Sequence, residues 1–170
     1  MATRGIRNNN PGNLIITNNA WQGKLPLSQN TDKHFEQFTS MEYGIRAMLK
    51  DLIHDINKGK NTVRKLISEY APSFENNTAQ YIKDVSQSIG VSADTKITSI
   101  NASFLMLLSR AIIKKENGSD ASKVSDSQIK KAIKMLGNVS TEVLKVDTST
   151  KTLIVIPLIL FFYTVLAITL

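Results

Sequence analysis

Residues 152–170 read TLIVIPLILFFYTVLAITL, a run without a single charge. Only Thr152, Pro157, Thr164 and Thr169 fall outside the apolar set. No other feature restricts the chain so strongly, because in lipid an isolated span must satisfy every backbone donor and acceptor internally, as a helix does. Wound as a helix, residues 153–170 would reach about 27 Å, close to the ~30 Å hydrocarbon core of a bilayer. A helix buried in a protein core is usually shorter and keeps a polar stripe, whereas this segment is apolar all round. Pro157 falls one turn in, near the start, where a missing N–H costs least. Lys145 and Lys151 precede it, and the positive-inside rule places the body on the cytoplasmic side. The opening MATRGIRNNNPGN has no apolar stretch of the kind a signal peptide needs.

The body is very different. All 21 Lys+Arg and all 14 Asp+Glu lie in residues 1–151, so the net charge of +7 belongs wholly to it. The absence of cysteine excludes disulfides, a Cys-based zinc site and thiol catalysis. Two histidines, His34 and His54, leave little room for a metal cluster, and neither metal nor cofactor is expected. The lysines are spread along several segments with no interleaved aromatic platform, so nucleic acid is not an expected partner. No P-loop, GxGxxG, HExxH or GxSxG pattern occurs.

Residues 1–39 are rich in Asn and Gly and lack helical periodicity. Short β signals at Leu14–Ile16 and His34–Phe38, around a Trp21-Gln22-Gly23 turn, predict a small β or irregular lobe. Helical patterns follow. The first has Ile45, Met48, Leu49, Leu52, Ile53 and Ile56 on one face after Thr39 or Ser40. A short helix fits Thr62–Tyr70, and another follows Asn77 or Thr78 with Tyr81, Ile82, Val85 and Ile89 inward. A strongly apolar one runs from Phe104 to about Glu116, and the last, after Ser125 or Asp126, sets Ile129, Ile133 and Leu136 opposite Lys130, Lys131 and Lys134. Residues 137–151 read as a polar linker. The expected architecture is mainly α, with units at 1–120, 121–151 (amphipathic helix and linker) and 152–170 (transmembrane helix).

Three constellations carry possible chemistry. Arg4–Leu14, RGIRNNNPGNL, is either a turn-rich arm or a polar wall whose amides suit neutral sugars. Within FEQFTSMEYGIRAM, Glu42 reads most simply as a first-turn carboxylate on a helix dipole. Phe35 and Phe38 read as core, and period-2 alternation leaves Glu36 facing either Phe38 or solvent. In AIIKKENG, Glu116 closes an apolar helix, where the macrodipole favours cations and pushes a carboxyl toward its protonated form. A protonated carboxyl is what a general acid needs. The neighbouring Lys114 and Lys115 would pull the other way, and a plain surface glutamate is the competing reading.

Taken in order, RGIRNNNPGNL, WQG, FEQFTSMEYGIRAMLKDL, TVRKLISEYAPSFENNTAQYIKDVSQSIGV and AIIKKENG resemble the phage-borne peptidoglycan-degrading domains of the lytic-transglycosylase/lysozyme-like superfamily. The likeness runs from about Arg4 to Gly118. Combined with the apolar tail, it resembles the virion-associated lytic enzymes of membrane-containing bacteriophages. It implies a lysozyme-like helical domain with a small β-rich lobe beside a sugar cleft. In related domains the catalytic Glu closes a helix in an E-S-G type motif that precedes the Trp-Gly turn and the F-x-x-[FY]-x-S stretch. Here Trp21, Gly23, Phe35, Phe38 and Ser40 have no Glu-bearing helix ahead of them, and Glu116, in E-N-G, comes last. The resemblance therefore implies a circularly permuted motif order with Glu116 as catalytic acid. Glu75 is second choice, then Glu42 and Glu36.

The implied reaction cleaves the β-1,4 bond between N-acetylmuramic acid and N-acetylglucosamine. Two-carboxylate glycosidases set their carboxyls roughly 5–10 Å apart. No second carboxylate has a clear claim in the sequence, which favours a lytic transglycosylase over a lysozyme. Asn10 and Asn13 are expected to hydrogen-bond the sugar, and Tyr43 and Tyr81 either to line the cleft or to sit in the core. The expected partners are glycan strands, a lipid membrane through 152–170, and capsid proteins. The expected location is the virion, in the phage's internal membrane. The competing class is a non-catalytic, membrane-anchored virion protein that keeps the fold and binds glycan.

Overall fold

The computed structural model describes residues 1–73 and 77–137 of the chain. The 152–170 run, most of the 137–151 linker and Glu75 lie outside the described residues. Among the described residues, no helix is long and apolar enough to cross a membrane.

The structure is mainly α, as the periodicity predicts. The helices are α1 (Arg4–Arg7), α2 (Met41–Asn57), α3 (Val63–Tyr70), α4 (Thr78–Ile89), α5 (Ala102–Asn117) and α6 (Asp126–Lys134), with a 3₁₀ segment at Gly118–Lys123 between the last two. Polar side chains fix most of the starts by satisfying amides that the first turn leaves open. Thr62 accepts from the Lys65 amide, Asn77 from Gln80, and Asn101 from Phe104. Ser125 and Gln128 close a reciprocal capping box on α6. Ser40 precedes α2 in extended backbone without a side-chain cap bond.

One apolar core joins α2 through α6. Ile45, Met48, Leu49 and Leu52 meet Leu66 and Ile67 of α3, Tyr81 and Val85 of α4, and Phe104, Leu108 and Ile112 of α5. Ile129, Ala132 and Ile133 of α6 belong to the same core, as do Ala121 and Val124 before it. The unit boundary expected at residue 120 therefore runs through the middle of a packed core. The last helix, expected to form a separate unit with the linker, packs in the same core as the helices before it.

Among the described residues the lobe at 1–39 forms only isolated antiparallel bridges, Ile15 with Phe35 and Lys24 with Phe38. The predicted β segments do face one another, through Ile16 N–H to the His34 carbonyl (2.9 Å) and Glu36 N–H to the Leu14 carbonyl (2.8 Å). They do not extend into strands because Asn side chains take up the neighbouring backbone groups. Asn10 Nδ2 donates to the carbonyls of both Leu14 and Glu36, and Asn30 Nδ2 to that of Phe35. The arm also begins with the single turn of α1, too short to show periodicity in sequence.

Candidate functional site

The arm Thr3–Leu14 is laid across two helices. Along α2 it passes so closely that a Cβ on Gly44 would fall 1.8 Å from the Asn9 carbonyl oxygen. A Cβ on Gly12 would likewise fall 2.5 Å from the Tyr70 hydroxyl and 2.7 Å from the Met48 sulfur. These two glycines are what allow the backbone to approach. Asn9 and Asn13 hold left-handed backbone at φ 50° and 51°, a conformation Asn tolerates better than most residues.

At the other side the arm meets the end of α5. Asn117, 2% exposed, donates to the carbonyls of Pro11 (2.8 Å) and Ile113 (3.1 Å) and accepts from the Thr3 hydroxyl (2.9 Å). The Thr3 amide donates to Asp120. Residues more than 100 positions apart in sequence are thereby fixed beside one another, and Glu116 lies at the junction.

Glu116 is half-buried. Its Oε2 accepts from Asn13 Nδ2 at 2.9 Å, and its Oε1 accepts from the Tyr81 hydroxyl at 2.8 Å. Burial above all, then Tyr70 and the Glu116 carboxylate, raises the Tyr81 phenol far above its ordinary range, so Tyr81 acts only as a proton-bearing donor. Tyr70, raised by burial and then by Glu116 and Asp51, donates to the Gly12 carbonyl. The cations expected to bear on Glu116 are held elsewhere. Lys115 pairs with Asp84 at 2.8 Å and lies 5.5 Å over the Tyr81 ring, while Lys114 is exposed.

The other expected site residues take different positions. Asn10 has no exposed surface and spends its amide on the arm's own backbone, so it shapes the loop and has no face to offer a sugar. Asn13 reaches Glu116, and its Oδ1 is buried without a hydrogen-bond partner. Tyr81 is 1% exposed, which takes the core position of its two expected ones, and it donates to the carboxylate. Tyr43 packs on Gly23, whose Cβ would fall 2.3 Å from its ring, and so fastens the Trp21 turn to α2. Glu42 is the predicted first-turn carboxylate: its own backbone N–H, Ser40 and Lys131 (3.5 Å) outweigh burial and hold it below its ordinary range. Glu36 shares the buried face with Phe38 and is neutralised by Lys24 at 2.7 Å. Neither Glu42 nor Glu36 joins Glu116.

Sequence reasoning missed Tyr70, which packs against Gly12, and Asp51, whose charge bears on Tyr70. Nothing in the α2 pattern distinguishes Asp51 from a solvent-facing residue. Among the described residues no group of His, Asp and Glu could hold a metal ion. An apolar groove of about 640 Å³ lies between α5 and α6, lined by Met106, Leu107 and Ile133. It is at the opposite end of α5 from Glu116 and takes no part in this site.

No protein-family profile matches the chain. Protein P5 of Pseudoalteromonas phage PM2 is 32% identical to it over 123 residues, covering 70% of this chain and 74% of the phage protein. The chain belongs to the phage P5 family. This chain has its Asn-rich arm folded onto the end of its most apolar described helix, with one half-buried glutamate held by an asparagine from the arm and a tyrosine from α4.

Proposed function

We propose that this P5-family protein is a virion-borne peptidoglycan-cleaving enzyme with a lysozyme-like fold, anchored in a phage membrane by residues 152–170, in which Glu116 is the proton donor. The observation that carries the proposal is the junction at Glu116. Two sequence pieces that mark the resemblance, NNNPGN and ENG, lie at opposite ends of the domain and converge on that carboxylate. A permuted motif order requires this convergence.

Asn13 fits the role of partner to an acid that changes protonation. It shows Nδ2 to the carboxylate, and its acceptor end is buried without a partner. A half-turn of the amide would present that acceptor to a protonated Glu116. The chemistry is donation of the Glu116 proton to the glycosidic oxygen between N-acetylmuramic acid and N-acetylglucosamine, followed by attack at the exposed sugar carbon by a hydroxyl or by water. The +7 body suits an anionic wall.

The test is degradation of purified sacculi by the full chain in detergent. Wild type is expected to release soluble muropeptides, and Glu116→Gln to lose at least two orders of magnitude of rate while melting normally. A wild-type-like Glu116→Gln would remove Glu116 from the chemistry. A second reading, a glycan-binding virion protein without activity, draws on the fact that both Glu116 oxygens are already engaged. It predicts that the wild type binds sacculi and releases nothing.

A further inference from the structure

Gly44, Met48 and Asp51 follow one another at four- and three-residue spacing, so they form one line along α2. Gly44 lies under Asn9, and Met48 lies against Gly12. The arm therefore runs beside α2 in the direction of rising residue number. Asp51 comes next on that line, three residues or about 4.5 Å of helix rise past Met48. The arm residue after Gly12 is Asn13, which holds Glu116.

Tyr70 supplies an independent indication. Its hydroxyl is bonded to the Gly12 carbonyl, beside Asn13, and lies within range of the charges of both Glu116 and Asp51. Asp51 is partly buried, and none of the ion pairs among the described residues includes it. Burial above all, then Asp55, pushes its carboxyl above the ordinary value, while His54 pulls it down. A partly buried carboxylate outside any ion pair disfavours folding, and residues kept in that state are concentrated at functional sites.

We propose that Asp51 is the second carboxylate of the Glu116 site and takes the proton of an attacking water, so that the protein hydrolyses the wall bond. This rests on the glycan-cleaving function proposed above and decides which nucleophile it uses. Glu116 gives its proton to the glycosidic oxygen, which keeps the electron pair of the breaking C1–O bond. Asp51 accepts a proton from water as the water oxygen bonds to C1. One water is added across the bond, leaving a reducing muramic acid end and a free glucosamine 4-hydroxyl. The proton on Asp51 then returns to Glu116 through solvent. Without Asp51, the sugar's own 6-hydroxyl can still attack C1, with Glu116 as the base, giving a 1,6-anhydro end.

The experiment treats sacculi with the full chain in detergent and identifies the released ends by mass spectrometry. Wild type is expected to give mainly reducing ends. Asp51→Asn should lower the total rate at least tenfold, shift the remaining product toward 1,6-anhydro ends, and melt at or above the wild-type temperature at neutral pH. Glu69→Gln, a nearby exposed carboxyl paired with Lys60, should change neither rate nor product. Mainly 1,6-anhydro ends from wild type, or an Asp51→Asn variant with an unchanged product ratio or a lowered melting temperature, would overturn the role of Asp51 and leave wall cleavage standing. No release by wild type would overturn both.

Discussion

Replacing Gly44 by alanine tests the packing that builds the site, because the expected sign is opposite to the usual one. In a helix interior, Gly→Ala ordinarily stabilises by about 1 kcal/mol. Here the new methyl would sit 1.8 Å from the Asn9 carbonyl oxygen and 2.8 Å from its carbonyl carbon, both backbone atoms that cannot rotate aside. The arm and α2 must separate by roughly 1.2 Å to restore a 3.0 Å contact. Overpacking of that kind costs about 1–3 kcal/mol. The shift also strains the Phe38 N–H to Asn8 carbonyl bond (3.0 Å) and the Asn9 Nδ2 to Phe38 carbonyl bond (3.0 Å), each worth about 1 kcal/mol. Set against the helix-propensity gain, the net is a loss of about 2 kcal/mol, or about 4–8 °C in melting temperature for a chain of this size. Circular dichroism melts measure it directly. The same displacement draws Asn13 away from Glu116, so release of muropeptides should fall with stability. A Gly44→Ala protein that melts higher than wild type would refute the close approach of arm and helix, and with it the geometry assigned to the site.

Tyr81→Phe removes one of two donors to Glu116; at about 1.5–3 kcal/mol for a hydrogen bond to a charged group, muropeptide release should drop about 10–100-fold, read as initial rate on sacculi. Lys115→Ala removes an exposed pair with Asp84 worth about 0–1 kcal/mol, and because that lysine is already paired with Asp84 the rate should stay within about twofold of wild type. Asp32 is opposed by burial, but Asn8, the Phe35 amide and Arg4 together hold its carboxyl below 3.8. Its stabilisation is therefore present above about pH 4 and lost as pH falls through the lowered value, so urea melts of Asp32→Asn should show a shallower loss of stability than wild type below pH 4.

The helices could be read from the sequence because their signals are local. Thr62, Asn77 and Ser125 each cap a helix, and Ile129, Ile133, Val85 and Ile89 fall on the expected faces. The site was legible only in part, because its contacts span the chain. Glu116 was singled out by its place at the end of an apolar helix, and Asn13 by its place in the arm, but their meeting is not a periodicity. Asn10 shows the limit of reading composition: an amide with two donors and an acceptor suits a sugar and suits a tight backbone turn equally, and here the Leu14 and Glu36 carbonyls claim it. Asp51 shows the reverse. A carboxylate on an amphipathic helix reads as solvent-facing, and the small residue Gly44 two turns before it is the one trace that a second element passes along that line.

The separation of these contacts in sequence also bears on how the site holds together. Asn13 to Glu116, Asn117 to Pro11 and Thr3 to Asp120 each close more than 100 residues of chain. The cost of closure grows only slowly with length, by about 0.6 kcal/mol per doubling, once intervening structure has formed. The helices supply that structure through nearer contacts, α3 with α4 and α4 with α5, and the arm lies against the core they form. What holds it is a small set of buried amides, chiefly those of Asn10 and Asn117, and the close passage at Gly12 and Gly44. The arrangement separates two requirements that usually compete. The apolar core carries stability without Glu116 or Asp51, and the arm, which adds only the partly buried Ile6 and Leu14 to that core, places an asparagine against the acid. A substitution in the arm can therefore remove the site and leave most of the helical fold, whereas one in the core removes both.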